Sequence, residues 1–291
     1  MKSRFLIAAT LMLPLSACAW LDPPQSIGDL NAGYRYVPID PLPVAFTNDF
    51  RACPAPAGTT PSLMNALPDL ASRVGTEDVS GEANAGVPGV TVAGSARSYR
   101  VTQDFIAYDM ARLRFEVPPG LLAAGGATTA AAASQIRVLG PTERAGNANN
   151  QVITVPVYVG VGLRLTANLQ IRNGKVNLTD LSAISAAVSA NQVRGGLVTQ
   201  LLGLGGPKLT SLVPLPGELN PTTIQAAAVA MGQIRVLLFD ADTRRWPRVV
   251  GIHYPFARIN PALVNAIVTA LATRRIEWQP CATSDTNLLL R

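Results

Sequence analysis

Between Ile153 and Arg172 the chain alternates without interruption. Val155, Val157, Val159, Val161, Leu163, Leu165, Ala167, Leu169 and Ile171 fall on one side; Pro156, Tyr158, Gly160, Gly162, Arg164, Thr166, Asn168, Gln170 and Arg172 fall on the other. Successive side chains of a pleated strand point to opposite faces, so a period of two predicts a β-strand with one buried face. At about 3.3 Å per residue such a strand runs past about 50 Å, long for a globular sheet. Gly160 and Gly162 are the natural places for a bend or bulge. Asn173-Gly174 follows, a two-residue hairpin signal because both residues tolerate positive φ. Lys175 to Leu178 is therefore expected to return beside the long strand. Membrane barrels also alternate, over about 9–11 residues per crossing. The short return strand and the helical sequence after it favour a sheet packed under helices.

From Thr179 the period changes. "TDLSAISAAVSAN" opens with Thr179 or Asp180 as a helix cap, and "VRGGLVTQLLGLGG" reads as another strand. "NPTTIQAAAVAM" and "NPALVNAIVTAL" share one device: Asn220 and Asn260 cap, with Pro221 and Pro261 at the first helical position. Ile224, Ala228, Met231 and Leu238 supply one apolar stripe; Leu263, Ile267, Val268 and Leu271 supply the other. "RVVGIHYPF" and "RIEWQPC" are expected strands. The interleaving predicts an α+β fold, an antiparallel or mixed sheet with about three helices. Residues 151–291 form this mixed domain, and 71–150 form a strand- and loop-rich region packing on it. Within 18–70 prolines recur from Pro23 to Pro68, and because proline fixes φ and removes a donor the segment is expected to be extended, with room for one short strand.

The first 17 residues read differently. Lys2 and Arg4 precede an apolar run from Phe5 to Leu15, too short for a helical span, which takes about 20 residues. A charged start, a short apolar middle and small residues before a cut site describe a secretory signal peptide. Leu15-Ser16-Ala17-Cys18 resembles the lipobox of bacterial lipoproteins. The resemblance covers only the first 18 residues. It implies cleavage before Cys18 and acylation of that thiol, palmitate included. With Ala19 rather than aspartate after the lipid site, it also implies mooring at the periplasmic face of the outer membrane. Acyl chains contribute about 0.8 kcal/mol per buried CH₂, enough for several chains to hold without a spanning helix. Ala17-Cys18-Ala19 also fits the small-x-small rule of ordinary cleavage, which would release a soluble periplasmic chain.

Three cysteines occur in the 291 residues. With Cys18 lipidated or removed, Cys53 and Cys281 remain, and in an oxidising compartment two thiols pair. Closing so long a loop contributes about 4–5 kcal/mol on the chain-entropy model. The alternative is two separately buried thiols packing as small apolar residues.

Charged residues make up 14% and hydrophobic residues 48% of the chain, a balance that fits a compact core rather than disorder. Net charge is +6, and removing Lys2 and Arg4 leaves +4. That mild excess, on an exported chain, suits anionic lipid or glycan surfaces and argues against nucleic acid. Arg244, Arg245 and Arg248 gather around Trp246, and Arg274-Arg275 form a second basic pair; arginines beside an aromatic can hold phosphate or anionic glycan. The same charges also occur as solvated turn residues.

Catalytic chemistry finds little purchase. His253 stands alone, with Asp240 or Asp242 as the nearest orienting acids in sequence, and no G-x-S-x-G elbow is present. Its apolar strand predicts a packed imidazole. No C-x-x-C or H-E-x-x-H occurs, so no metal or cofactor is assigned. Asp240 and Asp242 read as turn residues and "LLGLGGPKLTS" as a flexible connector. Asp104, Asp109 and Glu116, interleaved with Arg112 and Arg114, read as a salt-bridged face rather than the paired acids of a glycosidase. The expectation is a membrane-moored binding or scaffolding protein with an envelope protein, anionic glycan or lipid as partner. A secretion-channel or pore subunit, a carrier of apolar ligand and an envelope hydrolase are the alternatives.

Overall fold

The computed structural model describes residues 35–79, 91–93, 97–122, 136–140, 142–178, 180–256 and 260–291. Residues 1–17, where a signal peptide is expected, and Cys18 lie outside them. The first strands are β1 (Arg35–Pro43), β2 (Ala45–Phe46), β3 (Asp69–Asp78), β4 (Thr91–Ala93), β5 (Ser98–Val117), β6 (Arg137–Leu139), β7 (Gln151–Ile171) and β8 (Lys175–Asn177). Helix α1 (Leu181–Ser189) leads to β9 (Val193–Leu202), β10 (Leu204–Gly205) and β11 (Gly217–Glu218). Helix α2 (Pro221–Leu237), β12 (Arg244–Arg245), β13 (Arg248–Tyr254), helix α3 (Pro261–Ala272), β14 (Ile276–Trp278) and β15 (Leu288–Leu290) follow, and single helical turns at Leu63–Ala66, Pro119–Leu122 and Pro207–Thr210 complete the order. The fold is α+β and strand-dominated, and its sheets are mostly antiparallel.

The long alternating segment is one continuous strand of 21 residues, β7. It pairs along its whole length with the 20-residue β5, from Ser98 opposite Gln170 to Val117 opposite Gln151. The other edge of β7 is shared: β13 takes Val157 to Gly160 and β9 takes Gly162 to Ile171. The main sheet runs β1-β13-β7-β5-β3. At Gly162 a Cβ would lie 2.0 Å from the Phe105 carbonyl oxygen, and at Gly160 2.4 Å from that of Ala107. Only glycine lets the two long backbones approach this closely. The sheet curls until β1 lies beside β3, where a Cβ on Gly75 would sit 2.4 Å from Pro38 Cδ.

Curling gives the sheet two buried faces. The odd-numbered face of β7, Val155 to Ile171, packs under the helices with Ile184, Ile224, Ile234, Leu263 and Ile267 in one apolar core. The hydrophobic effect acts mainly here, at about 25 cal/mol per Å² of apolar surface removed from water. Asp180, Asn220 and Asn260 cap the three helices as their side-chain oxygens accept main-chain N–H bonds. Of the predicted stripe on α2, Ile224 and Leu238 are buried and Met231 half-buried. Ala228 is exposed, and Ala227 and Ala230 take its place in the core.

The expected Asn173-Gly174 hairpin does not form. Gly174 is left-handed at φ +87 and Asn173 is not, whereas a type I′ turn requires positive φ at both positions. Lys175 to Asn177 pairs with β4 instead, and β7 gains its neighbour β9 only after α1 has crossed over the apolar face. Three residues of return strand before the Asp180 cap are too few to compete with the ladder β9 offers. The glycine-rich stretch also takes a defined path, with Leu204 and Gly205 pairing to Arg245 and Arg244.

Cys53 and Cys281 form a disulfide across 228 positions, with their Cα atoms 5.0 Å apart. The bridge fastens the loop after β2 to the segment between β14 and β15. That segment fills the gap left on the edge of β5 between β3 and β6. Arg112 N donates to Ser284 O at 2.7 Å, and Trp278 Nε1 and Asn287 Nδ2 both donate to Asp109 Oδ2 at 2.8 Å. Among the described residues no helix is long and apolar enough to cross a membrane.

Candidate functional site

The even-numbered side chains of β5 and β7 meet on the concave face of the curled sheet. Asp104, fully buried, lies opposite Arg164 in the β5–β7 register. Arg164 Nε donates to Asp104 Oδ1 at 2.7 Å and Nη2 to Oδ2 at 2.6 Å. The same guanidinium donates to the main-chain oxygens of Ile39 at 2.6 Å and Val250 at 2.7 Å. The Tyr36 hydroxyl adds a further bond to Asp104. Four strands, β1, β13, β7 and β5, are thereby tied at one point. Burial, with the Asp104 charge beside it, pushes the Tyr36 hydroxyl well above its ordinary pKa.

A second group lies beside this clamp. Arg73 donates to the Tyr108 hydroxyl at 2.8 Å and its guanidinium stands over the Tyr108 and Tyr158 rings. His253 is buried with Nδ1 2.6 Å from the Tyr158 hydroxyl, which burial holds protonated past its usual range. Asp240 and Asp242 bind Lys208 Nζ at 2.8 and 3.1 Å instead, so neither acid orients the histidine. The concave face is thus filled and cross-linked by its own side chains.

The basic group around Trp246 is partly engaged by its own chain. Arg245 donates through Nε to Leu238 O and through Nη2 to Asp240 O, both at 2.6 Å, satisfying carbonyls at the end of α2. Arg244 is exposed and Arg248 half-buried. Nor do the acids and arginines of β5 pair with each other. Same-face neighbours on one strand stand about 6.6 Å apart, and each acid finds a nearer partner across the fold. Asp104 takes Arg164, Asp109 takes Trp278 and Asn287, and Glu116 takes Arg137 Nε at 3.0 Å. Glu116 also accepts Gly146 N, Asn147 N and Asn150 Nδ2 at 2.9–3.0 Å. Those two main-chain donors come first in holding its carboxyl down to about 2.

The site with open chemistry is a cleft of about 650 Å³ where β5, β6 and β15 approach one another. Arg112, Arg114, Arg274 and Arg291 line it, against two acids, Glu143 and Asp285. Glu143 is already held by Arg137 at 3.1 Å and by Gly140 N at 3.1 Å. Arg114 is held in the wall, donating to Gly140 O at 3.1 Å and Glu143 O at 2.9 Å. Arg112 stands 3.9 Å from Asp285 and Arg291 3.0 Å from Glu277, with both arginine side chains more than half exposed. Arg274 is exposed and forms no ion pair among the described residues. Val138, Leu139 and Leu288 to Leu290 supply the apolar lining. Arginines outnumber acids in the lining, four to two, and guanidinium forks match carboxylate or phosphate oxygens.

Of these residues only the Arg274-Arg275 pair carries a signal visible in the sequence, and Arg275 turns away to Glu277 at 3.3 Å. The rest come from four separate stretches. Among the described residues no three His, Cys, Asp or Glu side chains gather to hold a metal ion. None of the family models, curated proteins or solved structures compared with the chain matches it.

Proposed function

We propose that this chain is an exported lipoprotein, moored through acyl groups on Cys18 at the periplasmic face of the outer membrane. There it binds or scaffolds a partner at the arginine-lined cleft. The single observation that carries the reading is the Cys53–Cys281 bridge. A disulfide between these two positions belongs to an oxidising compartment and leaves Cys18 as the unmatched thiol, directly after the apolar leader. A binding role, rather than catalysis, draws support from the concave face. Its histidine and acids are locked into structural bonds, while the cleft leaves charged donors open. A carrier role for an apolar ligand is less well supported, because the apolar face of β7 is packed under the helices.

Intact-mass measurement of the mature chain tests the anchor. The expected product begins at Cys18 and carries diacylglyceryl and N-acyl groups, and it partitions into the detergent phase of Triton X-114. A product that begins at Trp20 and stays in the aqueous phase overturns the reading.

A further inference from the structure

We infer that the cleft receives an extended, acidic segment of a partner protein as an added strand on the open edge of β15. The inference rests on the binding role proposed above and names the chemistry of the partner.

The ladder between β14 and β15 is bonded at alternate positions. Arg275 and Arg291 exchange both main-chain bonds, at 2.8 and 2.9 Å, and Gln279 N donates to Asn287 O at 2.7 Å. In an antiparallel pair the intervening residues turn their N–H and C=O groups the other way. Leu288 and Leu290 therefore direct theirs away from β14; Leu288 is buried and Leu290 half-buried, so Leu290 carries the accessible part of the edge, and among the described residues β15 has no second neighbour. All three of Leu288, Leu289 and Leu290 line the cleft. Since their side chains alternate between faces, the cleft meets the strand at its edge. On the opposite wall Val138, Leu139 and Gly140 are again consecutive, and among the described residues β6 pairs only with β5.

Exposed edges are usually blunted by proline, lysine or a bulge. This edge is Leu-Leu-Leu followed by Arg291, with no proline, lysine or bulge; its shortness, three residues, is its one protection. An added strand satisfies its main-chain groups, the mode of β-strand addition. The charge around the edge selects the occupant: Arg274 presents a guanidinium without an ion pair among the described residues, flanked by the more than half-exposed Arg112 and Arg291, which stand 3.9 Å from Asp285 and 3.0 Å from Glu277. Asp or Glu on the face of an added strand turned toward these arginines, which is every second residue, complements their charge. An acyl chain fits less well, because Leu139 and Leu288 are each only 4% exposed and offer it little surface.

The test uses the purified mature chain with its disulfide intact and a phage-displayed library of random twelve-residue peptides. Selected peptides are then synthesised for fluorescence anisotropy. The expected peptides carry Asp or Glu at alternate positions and lose at least tenfold in affinity against Arg274→Glu. N-methylating one alternate set of their amides is also expected to cost at least tenfold, and methylating the other set little. That arm alters only the peptide, so it is independent of how any variant folds. Three results overturn the inference: selection of no acidic peptide, indifference to methylation of either set, or binding to phosphatidylglycerol vesicles that Arg274→Glu abolishes. The last assigns the cleft to a lipid surface. A chain that partitions into detergent yet selects no peptide leaves the proposed function standing and sinks only this inference.

Discussion

Arginine serves two opposite purposes in this molecule. In the concave face Arg164 is 5% exposed and meets a carboxylate and two carbonyl oxygens, each brought by a different strand. In the cleft Arg274 is exposed and forms no ion pair among the described residues. The side chains are identical, so the difference lies in the backbone around them. Where the sheet curls closed, neighbouring strands deliver acceptors in register and the charge is consumed internally. Where two sheets end side by side at β6 and β15, no further strand lies between them among the described residues, and Arg274 keeps its donors available. A buried, matched arginine therefore holds the fold, whereas Arg274, exposed between α3 and β14, is the charge on which the proposed binding role rests.

Removing the disulfide separates the two most strongly. Cys281→Ser is expected to lower stability by about 5 kcal/mol on the loop-closure model, read from denaturant unfolding. Hydrogen exchange in that variant should rise first across residues 284–290, the wall of the cleft, while the amides of β7 near Arg164 stay protected. Uniform loss of protection would show that clamp and cleft are one cooperative unit.

Next in size is the clamp. Arg164→Met leaves Asp104 charged and buried, and is expected to cost about 3–5 kcal/mol, whereas replacing Tyr36, Asp104 and Arg164 together with Phe, Leu and Met should recover most of that loss. If the triple variant is as unstable as the single one, the cluster supplies more than a matched charge.

Glu116 links β5 to the loop behind β6 and gives a pH signature. Its carboxyl sits at about 2 against an ordinary 4.5, so the unfolded chain takes up this proton more readily than the folded one. The stability it adds is complete above about 4.5 and is lost as pH falls toward 2. The stability gap between wild type and Glu116→Gln, followed by melting temperature, should shrink over that window. A gap constant across it would mean that the loop is held by other contacts.

The smallest expected effect on stability is at the cleft. Arg274→Glu should stay within about 0.5 kcal/mol of wild type, as exposed substitutions do, while reversing the charge that a partner would meet. A large loss of stability would move Arg274 into the same class as Arg164.

Local signals in the chain were legible where the physics is local. The alternation from Val155 to Ile171 identified β7 because burial on one face requires a period of two. Asn220-Pro221 and Asn260-Pro261 located two helix starts because the unpaired N–H groups of a first turn need an acceptor. Asn173-Gly174 misled because a turn propensity competes with whichever ladder the next residues can join, and β9 offered ten residues against three. Asp104 misled for a related reason. Arg112 is its near neighbour in sequence, but Arg164, 60 positions away, is its neighbour in register.

The amino-acid order alone thus determined β7, the capped starts of the helices and the cysteines able to pair, but not the 20-residue β5 or the partner of Lys175–Asn177. The three-dimensional arrangement decided which arginines are matched and which are open. That depends on where each strand's edge ends up, and an edge has no partner until the sheet has curled and the last segment has been pinned by Cys281. The cleft gathers residues 112–114, 138–140, 143, 154, 274, 285 and 288–291, and nothing in their local order announces that they meet.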